Sequence, residues 1–402
     1  MKPLLCVVVF FALALADISS DLNNLIRSPN ASSPSAYFIP EQIIFSRGRH
    51  AVCASGKIQV PITAQNIRFT TQVPPSQFAV TAIVQEILQY DASLIQKSIA
   101  GTQIVQGTYG IFAKLCYPAQ FASAAQVKSI QILTHGSGLE KSYWDIASPN
   151  NSYVDAAAKA GYATLAYDRL GAGQSDRPDP INVIQSAVQV EILEALIQGV
   201  RTGTLGIQKF NTVICAGHSY GQIIQTGHDA KYPASCSAVL ATGISDTTQY
   251  LVPETFALNP TIASQADPAR FGSLNNAFLI NPTPVSVHLP FFRYPYFDPA
   301  VFQKVFDTRS TYTIGEIFTA IAILSPAPAF TGPVAVINGQ FDIPFCGGDC
   351  AQRPSAYRAT FYPAAVNSTA QVIPNTGHVI NGHITAPQAF SQLLEFLKKN
   401  NL

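Results

Sequence analysis

Between residues 127 and 242 the apolar positions alternate between two patterns. Runs at 127–134, 162–167, 212–216 and 237–242 have the length and β-branched content of buried strands. Between them, residues 151–160 and 222–231 are helix-like. Residues 181–202 carry apolar side chains at helical spacing: Val190, Leu193, Leu196, Ile197 and Val200. Strands apolar on both faces and separated by helices predict a parallel sheet covered on both sides, an α/β fold. The pattern resumes at 333–338 and 370–373 and closes with a helix over 387–398. Upstream, residues 42–118 read as strands, at 58–62, 80–90 and 107–117, and predict an antiparallel start to the sheet. Residues 247–331 break the alternation. They are rich in proline and aromatic residues and long for one connection, which predicts a cap inserted over the site. Residues 17–40, rich in Ser, Pro and Asn, read as a flexible lead-in. The core is thus expected in two parts, 41–246 and 332–402, around the cap at 247–331.

The 402 residues are 48% hydrophobic, ample for a large core. Only 12% are charged and the net charge is +1, so the sequence offers no basis for a nucleic-acid partner or an anionic membrane. Residues 1–16 have the form of an export signal. Met1-Lys2 precedes an apolar run from Leu4 to Leu15 and a small-x-small site at Ala14-Leu15-Ala16. That run is too short to span a bilayer comfortably, so no stable membrane anchor is expected. Asn30, Asn150 and Asn367 begin glycosylation acceptors. With Cys6 removed in the signal, six cysteines remain, an even number that permits disulfides in an oxidising compartment. Cys346 and Cys350 are close enough to close a small loop, and Cys53 and Cys116 lie in strand-like segments where they can pair. Cys215 is either a free buried thiol or bridged to Cys236. No Cys/His spacing matches a zinc site, and no cofactor or metal is called for.

The run Gly217-His218-Ser219-Tyr220-Gly221 sits where an apolar strand meets a helix. A serine on such a turn projects its hydroxyl from the carboxyl end of the sheet, and the glycines remove Cβ atoms that would clash. The helix N-terminus sets amide groups beside developing negative charge. The pentapeptide alone is a weak signal in a chain with 25 glycines; the strand and helix around it make it specific. A serine needs a base. His378 follows the last strand, and His383 is its rival. Asp342, after the strand ending at Asn338, is the candidate acid, ahead of Asp246. The oxyanion would take one N–H from Tyr220 and one from Ser137, in His135-Gly136-Ser137-Gly138. His135 and His218 read as packing residues.

The order Ser219, Asp342, His378 resembles that of the α/β-hydrolase superfamily, with a match over about residues 42–402. Asp168-Arg169-Leu170-Gly171-Ala172-Gly173 also resembles a structural turn of that family. The chain looks like a lipase/esterase-type serine hydrolase with an inserted cap, and its export signal and N-terminal strands resemble secreted fungal members. The resemblance implies cleavage of a small-molecule carboxylic ester through an acyl-enzyme. The cap's aromatics point to a hydrophobic or aromatic substrate. Lactone hydrolysis and an aminopeptidase or amidase activity are alternatives. An amine-binding peptidase would need an acidic cluster, and Glu254, Asp267, Asp298, Asp307 and Glu316 are scattered in the cap. Epoxide hydrolases and haloalkane dehalogenases of this fold use an aspartate nucleophile, which Ser219 argues against. A non-catalytic binding protein would be expected to have lost the serine or histidine.

Overall fold

A computed structural model describes residues 20–22, 36–87, 93–205 and 208–402. The proposed export signal and the Asn30 acceptor lie outside these residues. Twelve strands are described: β1 (Tyr37–Phe45), β2 (Ala51–Phe69), β3 (Ile99–Pro118), β4 (Ser129–Thr134), β5 (Ala163–Tyr167), β6 (Thr212–His218), β7 (Ala238–Thr242), β8 (Thr261–Ile262), β9 (Phe278–Ile280), β10 (Tyr312–Thr313), β11 (Val334–Gly339) and β12 (Thr369–Ile373). Nine of them form one sheet in the order β1-β2-β3-β5-β4-β6-β7-β11-β12. β1, β2, β3 and β5 pair antiparallel. From β5 to β12 every pairing is parallel. The sheet is thus mostly parallel with an antiparallel N-terminal part, as the apolar pattern predicts.

Alternate residues of the parallel strands feed two cores. In β6, Val213 and Cys215 enter one apolar cluster, and Ile214 and Ala216 the other. Both faces are therefore dry, and helices cover each. The helices that bear on the argument are α1 (Gln77–Ile87), α2 (Tyr153–Lys159), α3 (Ser186–Thr202), α4 (Tyr220–Lys231), α5 (Leu251–Leu258), α6 (Pro284–Phe291), α7 (Ile314–Thr319), the short α8 (Ile343–Cys346) and α9 (Ala386–Lys399). α3 and α4 contribute Leu193, Leu196, Ile223 and Ile224 to the first core; α2 and α9 contribute Val154, Ala157, Phe390 and Leu393 to the second. Each such buried side chain stabilises the fold by about 1.5–3 kcal/mol relative to exposure.

Two expectations change. Residues 80–90, read as a strand, lie largely in α1, because Val80, Val84 and Ile87 recur at helical rather than alternating spacing. The first strand begins at Tyr37, inside the segment read as a lead-in. The chain between β7 and β11 folds into short helices and a three-stranded sheet, β10-β9-β8. A third apolar cluster there joins Ile262, Leu279, Tyr312 and Phe318 to Val80 of α1 and Phe69 of β2. Among the described residues no helix is long and apolar enough to cross a membrane.

Candidate active site

The parallel strands end on one edge of the sheet, and every candidate residue lies just past such an end. Ser219 is the single residue between β6 and α4. Its φ of 57° and ψ of −126° are values an L-residue seldom adopts. The turn is pinned from both sides. Ser219 N donates to Thr242 O at 3.0 Å, and Ser219 O accepts from Gln222 N at 2.8 Å and Ile223 N at 3.1 Å. Space explains the flanking glycines. A Cβ on Gly217 would stand 2.7 Å from Gln222 Cα, and one on Gly221 would press on the carbonyls of Thr134 and His135. The helix therefore rests directly on the end of β4, with Ser219 only 7% exposed.

Asp342 follows β11 and His378 follows β12. His378 Nδ1 and Asp342 Oδ2 are 2.6 Å apart, and the other carboxylate oxygen accepts from Phe345 N at 2.9 Å. Asp342 thus caps α8 and holds the imidazole at once. The His378 ring lies 4.8 Å from that of His218, the residue before Ser219. Phe291 and Phe345 flank it at 5.3 and 5.8 Å. Among the described residues its buried Nε2 has no hydrogen-bond partner. Burial alone would lower the His378 pKa; the charge and hydrogen bond of Asp342, with Glu254, outweigh it and leave the pKa raised.

The loop after β4 closes over the serine. A Cβ on Gly136 would come within 2.9 Å of Ser219 Cβ, so this loop approaches as only glycine allows. The Gly136 carbonyl is turned inward, accepting from Arg169 Nη2 at 3.3 Å. Because a trans peptide points its C=O and N–H in opposite directions, the Ser137 N–H is directed away from Arg169. Arg169 is itself buried and ion-paired with Glu316 of α7. The Tyr220 amide is at the first position of α4, where no intrahelical acceptor exists. The Tyr220 hydroxyl is bound to Ser186 Oγ at 2.8 Å.

The rival candidates are differently engaged. His383 Nε2 accepts from Gly377 N and Arg293 N, both at 3.0 Å, and its Nδ1 faces Val379 O at 2.8 Å. Burial holds its pKa down at about 4. Asp246 pairs with Arg353 at 3.2 Å, and Asp349 is exposed. His135 and His218 are buried, and burial lowers both pKa values well below the ordinary range. His218 stacks on Tyr143 at 4.4 Å. His228, Asp229 and Cys236 cluster in the core, but Cys236 Sγ is 1.99 Å from that of Cys215 and His228 is held between Glu194 and Asp229. Two residues that sequence reasoning did not bring to the site lie near it: Glu254, whose charge acts on His378, and Asn281, whose amide stands over Gly138. The acids of residues 247–331 are accordingly not all remote, since Glu254 interacts with both His378 and Asp342.

This doubly covered, mostly parallel sheet, with its serine turn at the carboxyl edge, is the architecture of an α/β-hydrolase. A sequence model of the alpha/beta hydrolase family matches residues 131–393, well over half the chain, and the chain belongs to that family. A bromoperoxidase from Bacillus anthracis has the same fold, with a TM-score of 0.50 and 18% identity over 73% of this chain and 96% of that one. An esterase from Thermogutta terrifontis (TM-score 0.49, 13% identity, 84% of this chain and 98% of that one) is also similar. So is an enol-lactonase from Burkholderia xenovorans LB400 (TM-score 0.48, 16% identity, 72% and 97%). No curated protein matches the chain in sequence.

Proposed function

We propose that this hydrolase is an exported serine enzyme that cleaves carboxylic esters through an acyl-enzyme, with Ser219 as nucleophile, His378 as base and Asp342 as its orienting acid. The observation that carries the reading is the 2.6 Å contact of His378 Nδ1 with Asp342 Oδ2, which leaves Nε2 without a partner beside the strained Ser219 turn. Ser219 Oγ attacks the ester carbonyl as His378 Nε2 takes its proton. The oxyanion accepts from Ser137 N–H and Tyr220 N–H. Nε2 then gives the proton to the departing alkoxide, and the alcohol leaves. Water, deprotonated by the same base, attacks the acyl-enzyme and frees the acid and Ser219.

Residues 247–331 act as a cap in this reading, and their aromatic side chains suit a hydrophobic or aromatic substrate. Export is supported by three cysteine pairs at bonding distance: Cys53–Cys116 at 2.11 Å, Cys215–Cys236 at 1.99 Å and Cys346–Cys350 at 2.01 Å. Asn150 and Asn367 are exposed, as glycosylation would require. The test is a panel of activated short-chain esters, lactones and aminoacyl amides offered to the wild type and to Ser219→Ala. Ester turnover that vanishes in the variant supports the reading. Turnover of amides alone, or most ester activity kept by the variant, contradicts it.

A further inference from the structure

Glu254 is only 9% exposed, and its carboxylate accepts no hydrogen bond among the described residues; a charge so little hydrated is costly unless something satisfies it. It lies on α5, which packs against α6 and α8. Those two helices supply Phe291 and Phe345, the rings flanking His378. Burial pushes the Glu254 carboxyl up to about 7; the His378 charge pulls it down, and Asp342 adds to the rise. Tyr312 lies close enough for Glu254 to raise its pKa too, after burial, and the Tyr312 hydroxyl is buried without a partner. Tyr312 pairs with Leu279, and Asn281 lies two residues on along that strand direction. The Asn281 amide stands over Gly138 of the serine-covering loop, and its Oδ1 is also buried without a partner. Among the described residues a carboxylate, a phenol and an amide oxygen are thus left without hydrogen-bond partners, the phenol and amide oxygens fully buried.

We propose that Glu254 is a specificity-determining residue: with Tyr312 and Asn281 it binds a hydrogen-bond-donating group, a hydroxyl or a protonated amine, on the alcohol portion of the substrate. The side of the ester follows from His378, which hands its proton to the departing oxygen, so what lies beside His378 faces the alcohol. The inference rests on the esterase reading above. It implies preference for esters of polyols or amino alcohols over esters of plain alkanols.

The test compares butyl butanoate with its near-isostere 3-hydroxypropyl butanoate, and 4-methylpentyl butanoate with its near-isostere 3-(dimethylamino)propyl butanoate, by proton release at constant pH. The wild type should favour at least one of the polar esters by about tenfold or more in kcat/KM, the size of a charge-assisted hydrogen bond. Preference for the first identifies a hydroxyl, for the second an ammonium group. Glu254→Leu should lose the preference. Glu254→Gln should keep one for hydroxyl and lose one for ammonium. Labelling of Ser219 by a phosphonate, followed in the same preparations, shows that each variant is folded. A wild type with no preference, or a preference surviving in Glu254→Leu, overturns the proposal. Absence of both labelling and turnover in the wild type overturns the esterase reading, and this inference with it.

Discussion

Burial opposes protonation of His378, yet Asp342 and Glu254 raise its pKa above the ordinary 6.5. A general base must be neutral, so kcat/KM should fall as pH drops through a value above about 6.5. The same shift favours the folded state below the unfolded pKa, and that contribution fades as pH rises through the folded one. Asp342→Asn removes the charge that offsets burial. The acid limb of the pH–rate profile should then move to lower pH and kcat should fall by about 10⁴. An unmoved limb would show that another group titrates. His383→Ala is the contrast: it strips an acceptor from two backbone amides and should cost about 1–3 kcal/mol of stability without moving the limb. Ser219, Asp342 and His378 were legible in the sequence as candidates because each follows an apolar strand, and strand ends share one edge of the sheet. Glu254 was not, because nothing in a proline-rich stretch of short helices tells which side chain turns toward that edge.

At the scale of elements, the pair Arg169–Glu316 ties α7 to the loop over the serine. Arg169 fixes the Gly136 carbonyl, and Glu316 fixes Arg169. Glu316→Gln should lower kcat by about 10² with little change in KM, because the oxyanion forms only in the transition state. Loss of a buried partner should also cost about 3–5 kcal/mol in urea unfolding. An unchanged kcat would mean that the loop holds its shape without the pair. The sequence marked Asp168–Gly173 as a structural turn but carried no sign that its arginine reaches α7. The misread α1 has a simple cause. β-branched residues favour strands locally, while the spacing of Val80, Val84 and Ile87 suits a helix packed on the small sheet, and packing prevails over propensity.

Over the whole molecule, the apolar runs revealed a parallel sheet but not its order. All the central strands are buried on both faces, so nothing in their composition sets β5 between β3 and β4. Cys53 and Cys116 face each other across β2 and β3, 63 residues apart in sequence. By loop-closure entropy, a bond there should stabilise the fold by about 4 kcal/mol, and replacing both cysteines by serine should lower the urea midpoint accordingly. Coincident midpoints would mean that the sheet is held without it. The central claim is that Ser219 attacks and carries the acyl group. It is tested most directly by reacting the protein with a serine-directed phosphonate and mapping the adduct by peptide mass. The account predicts one adduct on Ser219, absent from Ser219→Ala and slow to form in His378→Ala. An adduct on another residue, or ester turnover persisting in Ser219→Ala, would contradict it.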